Sequence, residues 1–110
     1  MTAVSAAILD LFTGVFGATG GSSLDPIVVG SIWAISLFLA YELAYWIDHY
    51  LSHNVPVLWE FHKVHHSAEV LSPLTNFRVH PIDSLVFVNI VAICNGVTTG
   101  VLHWVFNAGP

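Results

Sequence analysis

Charged side chains are scarce in this chain of 110 residues, of which only 8% are Asp, Glu, Lys or Arg. A soluble domain of ordinary composition carries about a quarter charged residues. Because 55% of the residues are hydrophobic, the composition excludes an ordinary water-soluble globule and indicates an integral membrane protein. Lys63 and Arg78 are the only two basic residues, so the sequence lacks the basic patch that a nucleic-acid partner requires.

Cysteine is nearly absent as well. The single Cys94 lies in an apolar segment, which excludes a disulfide framework and predicts a buried, inert thiol. No Lys or Arg precedes the first apolar stretch, so we expect no cleavable signal peptide. The length suits one small domain, which we take to cover residues 1–110.

Two long apolar segments predict transmembrane helices. The first covers residues 27–47 and is expected to continue to about residue 53, since the next proline is Pro56. Asp25 followed by proline supplies a helix N-cap and first-turn residue. The second covers residues 84–106, where glycine, threonine and asparagine indicate a face packed on another helix.

The other segments are too short or too irregular to cross a membrane. Residues 3–16 predict a short interfacial or packed helix, residues 56–67 a short interfacial helix, and residues 68–83 a structured loop. Both basic residues lie between the two spans, so the positive-inside rule places this connection in the cytoplasm. The expected fold is therefore an all-α, multi-pass integral membrane protein with a histidine-bearing helix and loop between its two spans.

A cluster of histidines begins where the first apolar run ends. Five fall within eighteen residues, in the patterns H-x-x-x-H and H-x-x-H-H: His49, His53, His62, His65 and His66. Imidazoles three or four residues apart share one face of a helix, and neutral imidazole binds zinc, copper, iron or nickel. Because no cysteine lies near the cluster, a catalytic or redox metal is favoured over structural zinc.

Three further residues are candidates for a supporting role. Glu42 lies seven residues before His49, about two helical turns, and a carboxylate inside an apolar run indicates function. It could ligate the metal or accept the second N–H of a ligating imidazole. Arg78 and His80 belong to the sequence R-V-H-P, where they either brace the loop or approach the site. His103, near the end of the second span, is interpreted as an interfacial histidine that binds no metal.

The histidine patterns and their surroundings resemble the fatty acid hydroxylase and sterol desaturase superfamily. The matching sequences are H-Y-L-S-H at 49–53, L-W-E-F-H-K-V-H-H-S at 58–67 and N-F-R-V-H-P at 76–81. Their order and tight spacing match as well. The resemblance is strongest over residues 42–83 and covers the flanking spans by pattern alone.

The resemblance implies a membrane-bound, non-haem di-iron oxidoreductase of lipid biosynthesis. Such enzymes use O2, two iron ions and an external electron-donor protein to hydroxylate or desaturate a lipid or sterol C–H bond. By the resemblance, His49 and His53 form the first histidine box. His62, His65 and His66 form the second, and Glu42 matches an acidic position seven residues before the first. Membrane lipids and the lipid or sterol substrate are the implied small-molecule partners.

One departure from the family pattern is the third histidine box, again H-x-x-H-H, which no residues after His66 supply. Tyr50, in addition, stands where the family often has arginine. We therefore expect a partial domain, either an N-terminal fragment or a truncated member. The alternatives are a catalytically incompetent membrane protein that binds metal or haem, and half of an enzyme completed by another chain. The sequence leaves the lipid and the choice between hydroxylation and desaturation open.

Overall fold

The structure, a computed structural model, describes residues 1–70 and 72–107. Within these ranges the secondary structure is helical and contains no strand, so the predicted all-α fold is confirmed. The helices are α1 (Ala3–Phe16), α2 (Pro26–Asn54), α3 (Pro56–His62) and α4 (Pro81–Phe106), with short 3-10 helices at His65–Ser67 and Pro73–Phe77.

Local chemistry explains where the two long helices begin. Asp25 caps α2, because its Oδ1 accepts a hydrogen bond of 2.7 Å from the backbone N–H of Ile27. Helix α4 begins at Pro81, three residues before the predicted start of the second span. The Nδ1 of His80 accepts a hydrogen bond of 3.2 Å from the N–H of Ile82, and proline is favoured at the first helical position. Asp83 therefore belongs to the first turn of a helix rather than to a loop.

Helices α2 and α4 are long and apolar enough to cross a membrane, with mean hydropathies of 1.9 and 2.0 over their most apolar windows. Only 11% and 17% of the residues in those windows are buried. The core helix of a soluble protein would bury most of such a surface. Together these features indicate a membrane protein with two spanning helices.

The chain forms two compact units. The first comprises Met1–Leu43 together with the residues from Ala92 onward, and the second comprises Ala44–Val91. We call them the α1 unit and the histidine unit. Both long helices contribute residues to each unit.

Within the α1 unit, α1 packs against the C-terminal half of α4 through two glycines. A Cβ atom at Gly100 would lie 2.6 Å from the Cβ of Ile8 and 2.7 Å from the backbone oxygen of Ser5, and one at Gly96 would also meet α1. Trp104 adds a hydrogen bond between α4 and the end of α1, because its Nε1–H donates to the backbone oxygen of Gly17 over 2.9 Å. The expectation of a packed face on the second span is confirmed, and α1 is its partner.

The glycine contact predicts a large difference between two Gly→Ala substitutions. Gly100→Ala should destabilise the protein by about 1–3 kcal/mol, because overpacking forces neighbouring backbone to move. Gly30→Ala, on α2, should have no such cost, since no atom lies within 4 Å of the added Cβ. Unfolding in mixed micelles of a mild detergent and SDS, followed by circular dichroism, measures both. Equal stabilities of the two variants would contradict the close packing.

The histidine unit buries polar rather than apolar side chains. Asp48, Ser52, His62, Thr75 and Asp83 are all buried there. On α2, buried residues recur every fourth position and so share one helix face. These residues are Ala40, Ala44, Asp48 and Ser52. Buried polar groups require hydrogen-bond partners, and such groups can also bind a ligand or a metal. We therefore expect the binding site in this unit.

Candidate metal centre

Four histidines of the histidine unit converge on one point. His49 and His53 are one turn apart on α2, His62 is the last residue of α3, and His66 belongs to the following 3-10 helix. One ring nitrogen from each lies within 4.8 Å of the corresponding nitrogens of the other three. The structure thus brings both histidine boxes of the sequence together.

Two pairs of these nitrogens have the spacing that a single metal ion requires. The Nε2 atoms of His49 and His53 are 3.1 Å apart, and those of His62 and His66 are 3.2 Å apart. Tetrahedral coordination with metal–nitrogen distances near 2.05 Å requires neighbouring nitrogens about 3.3 Å apart. These two pairs already have that spacing, and the other pairs, which lie within 4.8 Å, would have to close by at most about 1.5 Å for the four imidazoles to hold one ion.

Asp83 fixes the orientation of His62. The Nδ1 of His62 lies 3.1 Å from Oδ2 of Asp83, and both side chains are 6% exposed. With Nδ1–H donating to the carboxylate, the lone pair of Nε2 is directed to the other imidazoles, as in carboxylate–histidine–metal sites. Ser52 holds the carboxylate in turn, since its hydroxyl donates to Oδ1 of Asp83 over 3.5 Å.

The imidazoles also influence one another electrostatically. Burial lowers the pKa of His66, and the neighbouring His53, His62 and His65 lower this pKa further. A metal ligand must be the neutral imidazole. His66 therefore keeps its lone pair available for a metal to a lower pH than an isolated histidine would.

His65 and Glu42 lie outside this group of four ligand atoms in the part of the chain that the structure describes. The ring centroid of His65 is 5.2 Å from that of His66 and 5.6 Å from that of His62. Glu42 is exposed on α2. Ligation by His65 and a role for Glu42 at the metal stay predictions.

His80 and Arg78 lie beside the site in the sequence, and the structure gives His80 a capping contact. Its Nδ1 accepts the N–H of Ile82, and its ring packs 5.0 Å from that of Phe61. Arg78 is exposed and follows the second 3-10 helix, where its backbone N–H donates to the oxygen of Thr75. Of the two roles open to His80, bracing is the one for which the structure shows contacts.

Sequence reasoning missed the buried carboxylates of Asp48 and Asp83. The signal for Asp48 was the stripe Ala40, Ala44, Asp48 and Ser52, in which small or polar residues recur every fourth position of a helix with bulky apolar residues elsewhere. The signal for Asp83 was its place two residues after Pro81, within the first turn of a helix that proline begins.

Comparison with known proteins gives one family match. No significant match was found among curated proteins or among solved structures. The family model described as "Fatty acid hydroxylase" matches residues 34–108, which include all four converging histidines and both buried carboxylates. The chain therefore belongs to the fatty acid hydroxylase family.

Proposed function

We propose that this chain carries part of the active site of a membrane-bound, non-haem iron oxidoreductase that hydroxylates or desaturates a lipid or sterol C–H bond. The observation that supports it best is the group of four imidazole nitrogens within 4.8 Å of one another, in a chain of the fatty acid hydroxylase family. Four neutral nitrogen ligands suit iron among other first-row metals.

The residues of the chain have distinct tasks in this proposal. His49, His53, His62 and His66 hold the iron, and Asp83 holds His62 in the tautomer that presents Nε2. Bound iron supplies the activation of O2, with electrons from a donor protein. Helices α2 and α4 keep the chain in the bilayer, where the lipid substrate is dissolved.

A complete di-iron site requires more ligands than these four. We include in the proposal that His65 and a third histidine box contribute to a second iron, and that this box comes from further polypeptide or from another chain. The proposal also places the histidine unit on the cytoplasmic side, because Lys63 and Arg78 both belong to it.

The test measures iron retention first and lipid product second. The full chain is purified in lipid nanodiscs, loaded with Fe(II) without oxygen and analysed for retained iron. It is then given O2 and a reductant, alone and after co-expression with a chain carrying H-x-x-H-H, and lipids are analysed by mass spectrometry. We expect retained iron in both preparations, and hydroxylated or desaturated lipid in the co-expressed one.

Two outcomes would overturn this proposal. One is iron retention equal to that of a His49→Ala, His62→Ala double variant, which would mean that the imidazole group is not the site. The other is a haem Soret band in the purified protein, which would support an axial histidine site for haem instead.

A further inference from the structure

The histidine unit contains a cavity of about 300 Å³ beside the imidazole group. Asp83, which holds His62, lines it, and so does His65, the histidine outside the group of four ligand atoms. Ligand pockets are generally about 300–1,000 Å³. This cavity is therefore large enough for the polar end of a lipid and a few of its carbons, and too small for a whole lipid.

One wall of the cavity carries a buried carboxylate oxygen that has no hydrogen-bond partner among the described residues. Asp48 lines the cavity and is 8% exposed. Its Oδ1 has no hydrogen-bond partner among the described residues. Leaving a buried acceptor of this kind unpaired is costly, and more so for a charged group. Oδ1 of Asp48 therefore requires a hydrogen-bond donor that residues 1–70 and 72–107 do not provide.

The charge of the lining restricts that donor to certain chemical classes. Two carboxylates, Asp48 and Asp83, face the cavity, and none of its lining residues is Lys or Arg. In the chain without metal, an anionic group such as a carboxylate or phosphate would enter against like charge. A group with an O–H or N–H and no negative charge would pair with Asp48 instead.

The remaining lining suits the carbons that follow such a group. Tyr45, Val79 and Phe87 supply apolar surface, while Asn76 and Ser84 can add hydrogen bonds. Ligand sites commonly combine apolar walls with a few polar groups that fix orientation. The cavity thus has one end for a polar group and a wall for the start of a hydrocarbon chain.

We propose that this cavity binds the polar end of the lipid substrate, and that it selects an end with an O–H or N–H donor over an anionic end. The proposal rests on the proposed function for its substrate being a lipid. Asp48 is then a specificity-determining residue that acts on the polar end rather than on the metal.

Three probes with the same chain length test the proposal: hexadecanol, hexadecylamine and palmitate. Each competes with a radiolabelled hexadecanol for the full chain in nanodiscs of uncharged lipid, with and without metal. Hydrogen bonds to a charged group contribute about 1.5–3 kcal/mol. We therefore expect the alcohol and the amine to bind at least about tenfold more tightly than palmitate.

Substitution of Asp48 tests its part in this preference. In Asp48→Asn we expect the preference over palmitate to fall below about threefold, because the amide removes the charge and offers its own donor. Glu69→Gln removes an exposed carboxylate of the same unit and should keep the wild-type preference. Circular dichroism verifies that the variants fold.

Palmitate binding as tightly as hexadecanol to the metal-free wild-type chain would overturn the proposal, whether or not Asp48→Asn folds. Saturable binding of none of the three probes would overturn it too, since the cavity would then hold water alone. Failure of the proposed function is separate. If the chain retains no iron but still prefers the alcohol and the amine without metal, the proposed function fails and the cavity proposal stands. If the chain binds iron but shows no such preference, the cavity proposal fails and the proposed function stands.

Discussion

The His62→Ala chain should bind metal at least about 100-fold more weakly than the wild-type chain. Loss of a residue that only supports a ligand costs about 10- to 100-fold in metal affinity, and His62 is itself at the centre of the ligand group. Its ring centroid lies 4.9 Å from that of His49, 5.1 Å from that of His53 and 5.0 Å from that of His66. Alanine removes one of the four ring nitrogens that lie within 4.8 Å of one another.

Cobalt(II) provides the measurement, because its visible absorption reports coordination directly and needs no enzyme activity. Titration of each purified variant against a chelator of known affinity gives the dissociation constant. His103→Ala is the matched control, since His103 belongs to the α1 unit, where its ring packs 4.9 Å from that of Trp33. Equal losses in the two variants, or an unchanged cobalt spectrum in His62→Ala, would show that His62 is no ligand.

Removal of the carboxylate behind His62 should weaken metal binding by about 10- to 100-fold. In Asp83→Ala the Nδ1–H of His62 loses its acceptor, and the ring is free to take the other tautomer, which turns a protonated Nε2 toward the metal. The buried donor left behind should also cost about 1–3 kcal/mol of folding stability. Asp83→Asn keeps an oxygen in place, so its affinity should lie between those of wild type and Asp83→Ala.

The same cobalt titration measures this effect, with thermal unfolding of the metal-free chain as a second readout. Glu60→Gln is the control, because Glu60 pairs with Lys63 on the surface at 2.5 Å and its side chain is 61% exposed. An exposed pair of this kind contributes little to stability. An Asp83→Ala chain with wild-type affinity would mean that Asp83 stabilises the fold without orienting the metal ligand.

Periodicity predicted the two long helices well because the two strongest signals, long apolar runs and prolines, act locally. The single short helix predicted over residues 56–67 was wrong at its end, since α3 ends at His62 and a separate 3-10 helix follows at His65–Ser67. The apolar run from residue 27 and the next proline at Pro56 bounded α2 to within one residue at either end. The start of α4 was placed three residues late, since the capping contact of His80 depends on side-chain geometry that hydropathy does not report.

The histidines of the candidate site were predictable, and the carboxylates behind them were not. Spacing alone put His49 beside His53 on one helix face. The partnership of Asp83 with His62 links residues 21 positions apart, and it depends on how the segments between them fold back. Burial of Asp48 likewise depends on tertiary packing, because the sequence alone does not distinguish a buried aspartate from an exposed one.

The glycine contact between α1 and α4 has a consequence for the order of events during synthesis. Gly17 and Trp104, which join the two helices, are 87 residues apart. At elongation rates of about 5–20 residues per second, the N-terminal helix waits about 4–17 s for its partner to be translated. The surface of α1 that contacts Gly96 and Gly100 therefore stays without this partner until α4 has been translated.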